Sequence, residues 1–286
     1  SALDALGYDD ISGDGQVPTL LIENITSLNV SNSNIANLTG IEDFTALEEL
    51  NVNTNSLTAV DISNNTNLTY FNCRYNTISS IDLSANTLLE IVIMIDNALT
   101  SLDISNNLAL TKIYAQDNNL TALDVSANLN LDVIGVARNP ISSLDLSVNT
   151  NLIELYATGC AITDIDFSTN TNIKVMGLEE NNLESCNLQN GNNTIITTLN
   201  ITDNPNLNCI LVDDAVYSTT NWTNIDAQTS FFDTGYCDYT AIPDANFETA
   251  LDALGYDDIP NDGQVPTALI DTVTVLDIAG RTISDL

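Results

Sequence analysis

Two short stretches hold oxygen atoms at the spacing of a calcium loop. Asp10-Ile11-Ser12-Gly13-Asp14-Gly15 and its echo Asp258-Ile259-Pro260-Asn261-Asp262-Gly263 match an EF-hand loop in part, with acids at positions one and five and the turn glycine at six. Asp10, Asp14, Asp258 and Asp262 would be the metal-bearing carboxylates. Position twelve, where calcium wants a bidentate acid, is Leu21 or Leu269, and Pro260 removes a side-chain oxygen from the second copy. Decayed turns are therefore expected rather than filled sites, and calcium is the one cofactor for which ligands are on offer. A longer row, Asp61, Asp82, Asp103, Asp124, Asp145 and Asp166, has serine two residues after each aspartate. That pairing suits side chains accepting hydrogen bonds from their own turns better than a ladder of metals. Other chemistry is suggested by Tyr70, Tyr114 and Tyr156, which recur in phase with Arg74, Lys112 and Arg138. Aromatic rings and cations together suit stacking on sugars and pairing with carboxylate or sulfate.

Much else is excluded by composition. The 286 residues carry 39 acidic side chains, five Lys or Arg and no His, a formal net charge of -34. A nucleic-acid groove needs a basic field, and imidazole-based triads, proton shuttles and zinc sites have no residue to use. Strong acidity also argues against binding anionic headgroups, and no apolar run approaches the roughly 20 residues of a membrane helix. A Gly-rich phosphate loop and the HExxH pattern are both absent from the sequence. Carboxylate pairs are plentiful but arise from the repeat, so no enzyme is expected.

The elements that must position these residues are set by a 21-residue period between Leu68 and Leu188. Ile81-Asp82-Leu83-Ser84, Leu102-Asp103-Ile104-Ser105, Leu123-Asp124-Val125-Ser126, Leu144-Asp145-Leu146-Ser147 and Ile165-Asp166-Phe167-Ser168 are five copies of one tetrapeptide. Ten residues out of phase, Leu68, Phe71, Cys73 and Asn76 recur as Leu110, Ile113, Ala115 and Asn118, the spacing LxxLxLxxN, which both half-turns carry. The alternation sends apolar side chains inward and polar ones outward. Asn76, Asn97, Asn118, Asn139 and Asn181, with Cys160 in the same slot once, would stack amides that satisfy the turn backbone of neighbouring coils.

These residues resemble the leucine-rich repeat family, and more narrowly its short bacterial type with LDxS in the second half of a 21-residue repeat, as in surface or secreted proteins of Bacteroidetes. Ile25-Leu28-Val30 and Leu47-Leu50-Val52-Asn55, 22 residues apart, look like the opening of internalin-type repeats. The resemblance implies an α/β chain: a right-handed solenoid arc with a parallel concave sheet, a mostly non-helical convex side, a helical N-cap and a disulfide C-cap. Strand centres are expected near residues 28, 50, 71, 92, 113, 134, 155, 176 and 199, a face roughly 40 Å long at the usual strand spacing.

The resemblance also implies that ligands bind the concave face, whose outward positions can be read from the register. Three rows result: Tyr70, Ile91, Lys112, Val133, Glu154 and Val175; Asn72, Ile93, Tyr114, Gly135, Tyr156 and Gly177; Arg74, Ile95, Gln116, Ala137, Thr158 and Glu179. Tyr75, Asp96, Asp117 and Arg138 lie just beyond. Three of the five cations fall on this surface, and Ile91, Ile93 and Ile95 form an apolar stripe that something should cover. The binding set expected is Tyr70, Asn72, Arg74, Ile91, Ile93, Ile95, Lys112, Tyr114, Gln116, Arg138 and Tyr156.

Solenoid ends need caps. Residues 1–24 read as a truncated N-terminal cap, 25–208 as the solenoid, and 209–240, with Trp222, Phe231 and Phe232, as a C-terminal cap. Cys209 and Cys237 bracket that cap, either bridged or as two separate thiols, and a bridge would imply an oxidising, extracellular compartment. Residues 250–259 repeat residues 2–11 without change, so 241–286 read as the start of a second, near-identical unit in a tandem array. The expected function is non-enzymatic recognition of an extracellular polysaccharide or surface protein, by a secreted or surface-anchored module. A structural spacer, or head-to-tail self-association of residues 239–286 with an incomplete first cap, is the alternative.

Overall fold

Residues 2–8, 15–233, 237, 239–257 and 263–278 are described by a computed structural model. Each 21-residue coil makes one short strand of three residues, because the LxL alternation lets a single buried side chain anchor an extended segment between two turns. Nine such strands form one parallel sheet. They are β1 (Ser27–Asn29), β2 (Glu49–Asn51), β3 (Tyr70–Asn72), β4 (Ile91–Ile93), β5 (Lys112–Tyr114), β6 (Val133–Gly135), β7 (Glu154–Tyr156), β9 (Val175–Gly177) and β11 (Thr198–Asn200). Their central residues are the nine expected positions, and the register runs straight across, Tyr70 to Ile91 to Lys112 to Val133 to Glu154 to Val175.

A second sheet was not legible in the sequence. On the far side of the coils, β8 (Asp164–Asp166), β10 (Ser185–Asn187), β12 (Cys209–Leu211) and β13 (Ser230–Phe232) pair in parallel, in the order β13-β12-β10-β8. The LDxS segments of earlier coils run there without strand pairing. Each ends instead in the turn its aspartate stabilises: the Ser63, Ser84, Ser105, Ser126, Ser147 and Ser168 amides donate to the aspartate two residues before at 2.8–3.0 Å. The serine bonds hold the carboxyls of Asp61, Asp82, Asp103, Asp124 and Asp145 below their ordinary range.

One continuous apolar core fills the coils. Leu110, Ile113, Ala115, Leu120, Leu123 and Val125 are the contribution of a single coil, all buried. Between the strands and the far side, two columns of asparagine close the turns. In the first, Asn118 donates to the carbonyls of Met94 and Ala115 and accepts from the Leu99 amide, and Asn76, Asn97, Asn139 and Asn181 repeat the pattern. These bonds hold the chain where it turns through positive φ, at Thr54, Tyr75, Asp96, Asp117, Arg138, Glu180 and Asp203, with Gly159 the only glycine in the series. The Cys160 thiol takes the amide's place and donates to the Val136 carbonyl at 3.4 Å. The second column is Asn65, Asn86, Asn107, Asn128, Asn149 and Asn170, fully buried, each donating to carbonyls of the preceding coils.

Both ends of the solenoid differ from its middle. Short helices α1 (Ala2–Ala5) and α2 (Thr19–Ile22) stand at the first end. At the other, helix α3 (Ala215–Asn221) begins at Asp214, whose carboxylate accepts from the Tyr217 amide. Trp222 packs edge-on against Tyr217 and Phe231, and Cys209 and Cys237 are bridged, with Cα atoms 5.4 Å apart. Beyond lies a separate small cluster in which Ile242, Leu251 and Val265 are buried against Phe247, Tyr256 and Ile270. It holds helix α4 (Ala245–Asp252) against the antiparallel pair β14 (Tyr239–Ala241) and β15 (Gln264–Pro266), followed by α5 (Thr267–Ile270).

Candidate functional site

The outer face of the nine-stranded sheet brings together the residues that the register aligns, but it is more closed than the sequence alone implies. Adjacent strands are so near that neighbouring side chains shield one another. Tyr70, Ile91, Ile93, Ile95, Lys112, Tyr114, Gln116 and Tyr156 are half-buried, and Val133, Gly135 and Ala137 are buried outright. Asn72 requires a correction as a contact residue. It is buried, its Nδ2 donates to the Tyr70 hydroxyl at 3.2 Å, and its Oδ1 accepts from the Arg74 amide, so its polar atoms serve the turn and the tyrosine. The isoleucines form no exposed stripe either, because flanking side chains cover much of each.

Four groups shape this surface. Tyr156 donates its hydroxyl to Glu154 at 2.8 Å, and that bond, with partial burial and the carboxylate's charge, pushes the phenol up to about 12. Gln116 lies across Gly135, and a Cβ there would have to displace the end of the Gln116 side chain. Gly177 likewise leaves open the space beside the Tyr156 ring. The second row therefore alternates Tyr114, glycine, Tyr156, glycine, with the Gln116 amide covering the first glycine. At the margin, the Arg74 guanidinium sits 5.4 Å from the centre of the Tyr75 ring. Arg138 forms a two-pronged ion pair with Asp117 of the preceding coil, and its side chain stays 61% exposed.

Shielded polar atoms without partners occur in the third row as well as in the second asparagine column, where the Oδ1 atoms of Asn65, Asn86, Asn107, Asn128, Asn149 and Asn170 make no hydrogen bond within the protein. Arg74 Nε, Gln116 Oε1 and Glu179 Oε2 are shielded from solvent and make no hydrogen bond within the protein. Such groups are rare in folded proteins, and each calls for an explanation. Sequence reasoning could align these residues but could not detect that they lack partners, which depends on where neighbouring coils aim their own side chains.

No catalytic arrangement accompanies this face. Glu154 is engaged with Tyr156, and the cysteines Cys73 and Cys186 are buried, their thiols pushed up to about 12 by desolvation. Among the described residues, no three His, Cys, Asp or Glu side chains converge as a metal site. Asp10, Asp14, Asp258 and Asp262 lie outside the described residues. A mostly apolar cavity of about 490 Å³ opens at the first end of the solenoid, lined by Leu3, Val17, Ile22, Leu28, Val30 and Phe44, far along the coils from the tyrosines. No described helix is long and apolar enough to cross a membrane.

No protein-family model matches the chain, and no curated protein does. Solved structures do. The functional domain of InlJ from Listeria monocytogenes, described as including a cysteine ladder, is 31% identical over 68% of this chain, with a TM-score of 0.63. This chain spans 46% of that domain, a little under half its length. A leucine-rich repeat protein of Leptospira interrogans matches 74% of the chain and 68% of its own length at 17% identity and a TM-score of 0.59. Internalin C2 of Listeria monocytogenes matches 76% of the chain and 84% of its own length at 15% identity and a TM-score of 0.54. The last two likenesses bear on the fold alone. The period, the stacked parallel strands and these likenesses agree that the chain is a leucine-rich repeat solenoid, similar to bacterial leucine-rich repeat proteins that include internalins.

Proposed function

We propose that this protein is a non-enzymatic recognition module, secreted or held at a cell surface, that binds a polymer or a surface protein through the outer face of its nine-stranded sheet. The observation that carries this reading is the gathering of half-buried Tyr70, Tyr114 and Tyr156 with Arg74, Lys112 and Arg138 on and beside one sheet face. Gathering Arg74, Lys112 and Arg138 here, on a chain of net charge -34, favours anionic groups on the ligand, such as carboxylate or sulfate of a polysaccharide. The Cys209–Cys237 bridge supports an oxidising compartment.

Affinity electrophoresis against acidic and neutral polysaccharides, with and without calcium, tests the reading beside an Arg74→Ala, Lys112→Ala, Arg138→Ala variant. Retardation on an acidic polymer that disappears in the variant is the expected result. Absence of retardation on every polymer removes the polysaccharide ligand. A spacer would tolerate all three changes, with no interaction lost.

A further inference from the structure

The turns that lead into the sheet carry a feature unrelated to its outer face. In the repeated coils the chain passes from the far side to each strand through two tight turns flanking a buried asparagine. Outer coils make these turns polar, with Asn64, Thr66 and Asn67 before β3, and Thr169, Thr171 and Asn172 before β9. Four consecutive middle coils do not. Leu88 before β4, Leu108 before β5, Leu129 before β6 and Val148 before β7 are 49%, 57%, 54% and 42% exposed. Apart from Tyr75, these are the exposed large apolar side chains of the repeated coils among the described residues; the others lie in the terminal segments. Consecutive coils stack about 5 Å apart, so these four exposed side chains stand along the same edge of the solenoid within roughly 15 Å along its axis.

At Leu88 the apolar side chain replaces one of a series of hydrogen bonds. Asn67, Asn130, Asn151 and Asn172 each reach back to a carbonyl 22 residues earlier at 3.1 Å. Leu88 and Ala109 occupy the same slot and have no amide to donate. Acids flank this edge on both sides, Asp82, Asp103, Asp124 and Asp145 before the turns and Glu90 and Asp132 after them. One oxygen of Asp132 is shielded and makes no hydrogen bond within the protein. The described cations lie elsewhere, Arg74, Lys112 and Arg138 by the sheet face and Lys174 beyond the last of these coils.

We propose that this edge is a second docking surface, for an amphipathic polypeptide segment with apolar side chains on one face and lysine or arginine along its margins. Charge decides between occupants. A second copy of this chain would bring acids against acids, and an anionic lipid surface would meet the same repulsion. A cationic segment instead gains attraction from both flanks while covering the leucines. The surface does not depend on the sheet face, so either can fail without the other.

Fluorescence anisotropy of a labelled amphipathic helix of Leu and Lys, beside a Leu and Glu helix with the same apolar face, reads this out on the whole chain. The decisive variant is Leu88→Asn, Leu108→Thr, Leu129→Thr, which installs residues that other coils already use and leaves the net charge unchanged. Saturable binding of the cationic helix alone, weakened at least about tenfold in that variant, is expected. Asp103→Asn with Asp124→Asn should weaken binding and flatten its salt dependence, while the amide oxygen still accepts the serine bond. Equal binding by wild type and the leucine variant would assign the interaction to diffuse charge and overturn the proposal. So would preferential binding of the acidic helix or of phosphatidylserine vesicles, or a concentration-dependent mass that the leucine variant abolishes.

Discussion

Replacing Asn118 by alanine tests the account of the turn column most directly. Its Nδ2 donates to the Met94 carbonyl at 2.9 Å and the Ala115 carbonyl at 3.1 Å, and its Oδ1 accepts from the Leu99 amide at 3.0 Å. Both carbonyls have a second donor, since Asn97 also reaches Met94 and Asn139 also reaches Ala115. Truncation therefore orphans one group, the Leu99 N–H, and removes one of two bonds at each carbonyl. An orphaned buried donor costs about 1–3 kcal/mol and each redundant bond about 0.5–1 kcal/mol, a loss of roughly 2–5 kcal/mol. Denaturant unfolding followed by circular dichroism measures the total, and amide hydrogen exchange reads the Leu99 position itself. Leu99 should lose protection well beyond its neighbours, because its acceptor is gone while the core beneath it is intact. In the reverse direction, Cys160→Asn should stabilise by about 1 kcal/mol, because a thiol has only one polar atom and cannot donate and accept at separate places. An Asn118→Ala variant within about 0.5 kcal/mol of wild type, or a Leu99 amide still protected, would refute the claim that these side chains hold the coils together.

Other outcomes follow from the same contacts. Tyr156 should ionise near 12 in an absorbance titration and move toward the ordinary tyrosine value of 10.0 in Glu154→Gln. Its raised value contributes stability that is whole below 10 and lost as pH rises through 12, so the variant should flatten the alkaline limb. The aspartates of the LDxS turns have depressed values, so their contribution is present above the ordinary value of 3.8 and lost as pH falls below it. Asp103→Asn with Asp124→Asn should shallow the fall of unfolding midpoint with acid, whereas a steeper fall would contradict the turn bonds. Thiol titration of the native protein at pH 8 should leave Cys73 and Cys186 unreacted and reach three free thiols only on unfolding. Cys209→Ser with Cys237→Ser opens a bridge spanning 28 residues and should cost about 3–4 kcal/mol by the loop-entropy relation, measured by denaturant unfolding against the oxidised parent.

The 21-residue spacing of LxL and asparagine determined the coil, the nine strand positions and the row to which each outward residue belongs. Cysteine placement pointed to the bridge, and aspartate followed two residues later by serine pointed to the turns. Periodicity carries this much because a side chain's direction within a coil depends only on its place in the repeat. Exposure and partners depend on the coils above and below, and those only the tertiary structure decided. Asn72 points outward in the register yet is buried under its neighbours. Leu88 and Val148 fall in slots of the repeat different from that of Leu108 and Leu129, yet each is left exposed at the turn of its coil. Identical residues show the same dependence: Leu251 and Val265 are buried against Ile242 and Phe247, while their counterparts Leu3 and Val17 are only half-buried. A repeat dictates which way a side chain points, and the solvent it loses is settled by what the next coil places beside it.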